Sequence, residues 1–153
     1  MRQITPLDRI LLLLTCLLAA YQVVQGVEGM RTLSMISYTI AFGVLLVAAL
    51  LMIILGFEVL ESPLVVIVST VFPLCLSLGL VSDYFSQYTL PYLVFVLVGF
   101  LVVVLTRYLA PGNLAVISLA IVHGISGLVI FLLPLMLCLQ GITQPGFALV
   151  GLG

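Results

Sequence analysis

The sequence predicts an all-α, polytopic membrane bundle of about five spanning helices, on three observations. Only 6% of the 153 residues are charged and 65% are hydrophobic, whereas a water-soluble domain carries about 25% charged residues. The apolar residues fall in uninterrupted runs near the ~20 residues a helix needs to cross a hydrocarbon core. Those runs show no alternation of polar and apolar positions, which excludes a transmembrane barrel and leaves helices. The same scarcity of charge excludes a secreted globular domain, a disordered tail and a nucleic-acid-binding surface.

The chain, residues 1–153, reads as a single transmembrane domain with spans at about 10–25, 33–57, 64–81, 90–109 and 114–139. The first follows Asp8 and Arg9 and stops at Gly26 and Gly29, since glycine reaches a left-handed cap without steric cost. Arg2, Arg9, the run Ile10–Leu14 and the small Ala19-Ala20 also match a secretory leader. Thr15 is an unusual residue before a lipidated cysteine, however, and the segment is expected to stay as an anchor. The third span opens with Ser62 as N-cap and Pro63 at the first helical position. Pro111-Gly112-Asn113 ends the fourth and offers Asn113 as cap for the fifth. Pro73 and Pro134 predict kinks in spans three and five. The turn-rich Gln140–Gly146 is followed by an apolar tail, 147–153, which reads as the start of a sixth span or as a segment folding back at the interface.

Orientation follows the arginines. An N-terminus inside places Arg2, Arg9 and Arg107 in the cytoplasm and only Arg31 outside. Glu28 and Asp83 then read as solvated charges of outer loops. Tyr21, Tyr84, Tyr88, Tyr92 and Tyr108 lie near span ends, as interfacial aromatics do. Gln22 and Gln25 fit the same boundary. Shifting the sequence by 50 residues superimposes Tyr38-Thr39 on Tyr88-Thr89 and Leu64, Val66, Ile67 on Leu114, Val116, Ile117. Such a repeat would suit duplicated hairpins, although Leu and Val dominate both windows and chance alignment competes.

His123 is the one ionisable residue placed at depth, and intramembrane ionisable groups are functional candidates. Its imidazole suits a packing hydrogen bond, ligation of a tetrapyrrole (haem iron or chlorophyll magnesium), or a bond to a quinone. The chain has no second His for bis-histidine haem. Ala120, Gly124 and Gly127 form a small-residue face expected to pack closely against a helix. Glu58 and Glu61 flank the second turn; they suit a salt bridge to Arg107 across hairpins, or a paired-carboxylate site. The three cysteines, Cys16, Cys75 and Cys138, sit apart inside apolar runs and read as small hydrophobes rather than ligands.

No motif carries catalysis. Ser118, His123 and Ser126 include no carboxylate to orient an imidazole, and the loops are too short for a substrate domain. No metal site is expected. The chain is therefore read as a non-catalytic structural or accessory subunit of a larger assembly in a plasma or inner membrane, with lipid and other membrane subunits or copies of itself as partners. A small oligomeric carrier or channel, or a pigment- or haem-binding subunit using His123, are the alternatives.

Overall fold

The computed structural model describes residues 4–26, 30–110 and 112–152; the expectations for Arg2, Glu28, Gly29 and Pro111 lie outside these residues. The described residues hold α1 (Pro6–Gln25), α2 (Thr32–Leu55), α3 (Pro63–Tyr84), α4 (Thr89–Leu109), α5 (Asn113–Leu139) and a short α6 (Ala148–Leu152), with no strand among them. The first five are long and apolar enough to cross a membrane. The chain is a helical membrane protein.

The ends differ from expectation where local chemistry extends a helix. α1 starts at Pro6 rather than Ile10 because Thr5 and Asp8 form a capping box. The Thr5 hydroxyl accepts from the Asp8 N–H at 3.2 Å, and the Thr5 N–H donates to Asp8 Oδ2 at 2.9 Å. Two otherwise unpaired donors of the first turn are thereby satisfied. α1 ends at Gly26, whose φ is 57°, and α2 ends at Gly56, whose φ is 84°. A 3-10 turn, Phe57–Glu61, then leads to Ser62 and Pro63. Ser62 occupies the N-cap position, but its side chain makes no capping bond. Asn113 is already the first helical residue of α5; Gly112, at φ 114°, takes the cap position instead. Only glycine adopts that backbone readily, so the chain enters the helix one residue sooner.

α3 is the hub. It touches α2, α4 and α5, whereas α1 packs on α2 alone. Eleven of the 22 residues of α3 are buried, against two of 20 in α1. Lipid tails are as apolar as leucine, so helices associate in a membrane through close packing rather than water exclusion. The close approaches are made at two glycines. Tyr38 of α2 lies flat against Gly79 of α3, and Val122 of α5 sits where a methyl group on Gly99 of α4 would come within 3.3 Å. Around these contacts Leu74, Leu78, Val96, Val103 and Val122 form one core, and Leu80, Val81, Leu133 and Leu137 a second. Truncating fully buried Leu74 to alanine would cost about 2–5 kcal/mol.

Both internal prolines are buried. Pro134 lacks the N–H that would bond the Ile130 carbonyl one turn earlier. The tail covers that stretch: a methyl group on Gly151 would lie 2.6 Å from the Phe131 carbonyl oxygen and 3.3 Å from that of Ile130. α6 thus lies on α5, and Phe147 packs on Tyr84 with ring centroids 5.3 Å apart. The 50-residue shift aligns the starts of α3 and α5, but it does not relate Pro73 to Pro134.

Candidate functional site

α5 has two dissimilar faces. Ala115, Val122, Ser126, Leu133 and Leu137 point into the bundle, at the four- and seven-residue spacings of one helical face. Ala120, Gly124 and Gly127 are exposed, and a methyl group added to either glycine would meet nothing within 4 Å. The small-residue face read from the sequence is therefore a notch directed out of the chain, and it packs against none of the described helices. Isoleucines 117, 121 and 125 and Leu128 rise beside it, all exposed. Close approaches between helices of this chain are made instead at Gly79 and Gly99.

His123 borders this notch and is half-buried. Its Nδ1 is enclosed and has no hydrogen-bond partner. The neighbouring polar residues on α5 do not turn to it. The Ser118 hydroxyl shares a 2.7 Å hydrogen bond with Thr106 of α4 and also donates to the Ala115 carbonyl. Ser126 is fully buried, and its hydroxyl has no partner. A Ser–His pair is not assembled. Among the described residues no three His, Cys, Asp or Glu side chains gather as a metal site.

Other charged residues stand at the ends of the spans. Glu58 and Glu61 lie in the 3-10 turn, and Arg107 lies in the last turn of α4. The expected salt bridge between them is not formed, because that turn touches only α2 and α3. Asp83 departs most from its expected place. It is not a solvated loop charge: α3 runs on to Tyr84, and the partly buried carboxylate accepts a hydrogen bond from the Tyr38 hydroxyl at 3.2 Å. Tyr92 stands in the first turn of α4, near the span end as expected, but is half-buried. Its ring packs against both cores and its hydroxyl is enclosed without a partner. Tyr21, Tyr88 and Tyr108 are exposed near helix ends. Cys16 is buried on the α1–α2 seam, where its thiol reaches the Leu46 carbonyl at 3.9 Å; Cys75 and Cys138 are half-buried, and all three are free.

The set missed from the sequence is Tyr38, Gly79 and Asp83. One signal was available. Tyr38 and Asp83 lie almost equally far from the turn at Leu60, so an antiparallel hairpin brings them level. This pair stands beside a cleft of about 220 Å³ at the end of the bundle where α1 stops and α2 starts. Its border includes Gln22, Tyr38, Thr39, Phe42, Tyr84 and Phe147. A second, wider groove of about 290 Å³ lies along α3, α4 and α5 between Val81, Tyr92, Leu132 and Met136.

Fold and site together define a polytopic helical membrane protein with an outward small-residue notch. No family model, curated protein or solved structure matches the chain.

Proposed function

We propose that the chain is a non-catalytic structural or accessory subunit of a larger assembly in a plasma or inner membrane, with its N-terminus in the cytoplasm. The observation that carries this reading is the outward face of α5. Against lipid, a notch of Ala120, Gly124 and Gly127 gains nothing over leucine; against another helix it permits close backbone approach. His123 at the edge of the notch adds an imidazole able to hydrogen-bond across a helix interface. Two deep hydroxyls of α3 bond their own backbone, Thr70 to the Val66 carbonyl and Ser77 to that of Pro73. Such pairing supports a packed interior rather than a polar path for a charged solute.

A photo-crosslinking side chain at Ile121 or Leu128, beside the notch, tests the reading in native membranes. Leu97, exposed on α4, serves as the control position. The expected result is one defined protein adduct from each α5 position and none from Leu97. Adducts to lipid alone at every position would overturn the proposal. An absorbance spectrum of the same material, with a band lost in His123→Ala, would instead favour a tetrapyrrole-binding subunit.

A further inference from the structure

We propose that the cleft beside Tyr38 binds a quaternary ammonium group. Four aromatic rings border it: Tyr38, Phe42, Tyr84 and Phe147. Tyr84 and Phe147 are tilted by 51° to one another, so they do not stack as parallel plates. Aromatic faces attract a cation within about 6 Å of the ring centroid, most strongly when it is desolvated. The volume of about 220 Å³ exceeds the ~150 Å³ cavity that holds a benzene ring. A trimethylammonium group fits such a space.

The hydrogen bonds around the cleft favour positive charge. The Tyr38 hydroxyl has committed its proton to Asp83 Oδ2, and the Thr39 hydroxyl has committed its own to the Met35 carbonyl at 2.8 Å. Both oxygens are left as acceptors. The acidic Asp83 lies next to the cleft without lining it, held to the Tyr38 hydroxyl, and no Lys or Arg among the described residues borders the cleft. A primary ammonium would demand three acceptors at once, whereas a quaternary one has no protons to satisfy and suits the apolar walls of Leu76 and Leu80. Gly79 holds Tyr38 in position, so the cage is formed before a ligand arrives.

Such a group reaches the end of the bundle either as a phosphatidylcholine headgroup or as a free cation, and one experiment separates these. The full chain in phosphatidylglycerol nanodiscs is dialysed against labelled choline, with and without phosphatidylcholine in the discs. Saturable binding is expected. Its loss on adding phosphatidylcholine assigns the site to the lipid headgroup; indifference assigns it to a soluble cation, and either sustains the proposal. Tyr84→Leu, Phe42→Leu and Asp83→Asn should each weaken binding about tenfold, in discs where far-UV circular dichroism is unchanged. The neutral isostere 3,3-dimethylbutan-1-ol should compete poorly. Competition equal to that of choline, or no saturable binding of choline together with no retention of phosphatidylcholine, would overturn the proposal without relying on any variant.

Discussion

Gly79→Ala puts the packing of α2 on α3 to a quantitative test. A methyl group on Gly79 would press onto the Tyr38 ring at Cε1, 2.7 Å from both Cδ1 and Cζ. Carbon atoms rest near 3.5–4.0 Å, so the ring must retreat by roughly 1 Å. The Tyr38–Asp83 hydrogen bond is already 3.2 Å long, and that shift breaks it. Overpacking costs about 1–3 kcal/mol, and an interhelical hydrogen bond in a membrane protein contributes about 0.6–1.7 kcal/mol. Replacing glycine by alanine in a helix returns about 1 kcal/mol. The steric clash therefore outweighs the gain in helix propensity, and the net loss should be about 2 kcal/mol. Tyr38→Phe, which removes the bond alone, should lose about 1 kcal/mol or less. In a Tyr38→Ala background the clash is gone, and Gly79→Ala should become stabilising by up to about 1 kcal/mol. Far-UV circular dichroism during a reversible SDS titration in mixed micelles reads all four corners of this cycle. A Gly79→Ala variant as stable as the wild type, or one that keeps the same sign in both backgrounds, would refute the close approach.

Three further outcomes follow from the same contacts. Gly99→Leu should lose about 1–3 kcal/mol by driving a side chain into Val122, whereas Gly124→Leu should leave the stability of the isolated chain within about 0.5 kcal/mol; the same titration compares them. Ser34 is fully buried with an unpartnered hydroxyl, so Ser34→Ala should be neutral or stabilising by up to about 1 kcal/mol, read as a shift in thermal unfolding by circular dichroism. Gly151→Val should lift α6 from the carbonyls of α5, exposing a cysteine placed at Phe147 to a water-soluble maleimide faster than in the Gly151 parent.

The spans were legible because length and apolarity alone decide whether a helix crosses lipid, and each expected core of a span lies within an observed helix. The errors gathered at the ends, where single hydrogen bonds compete with hydropathy. Thr5 and Asp8 lengthened α1 through a reciprocal cap that hydropathy does not register, and the run to Tyr84 carried Asp83 into α3. Helix faces were harder to read. Ala120, Gly124 and Gly127 were recognised as a packing surface, but periodicity cannot say which side of a helix apolar all round meets its own chain. Gly79 and Gly99 escaped notice because each stands singly among large residues, and its significance appears only when Tyr38 or Val122 arrives from another helix. The alignment of Tyr38 with Tyr88 in the 50-residue shift misled in a related way. Tyr38 bridges two helices, whereas Tyr88 is exposed.

The central functional claim is that the α5 notch seats a partner helix, and the mass of the native complex tests it most directly. Native mass spectrometry of the chain extracted from its own membrane should show a particle heavier than one chain, with a fixed subunit ratio. The double variant Ala120→Leu, Gly124→Leu should appear as the single chain while keeping its helical content. A wild-type chain recovered alone, or a complex that survives the double substitution unchanged, would contradict the claim.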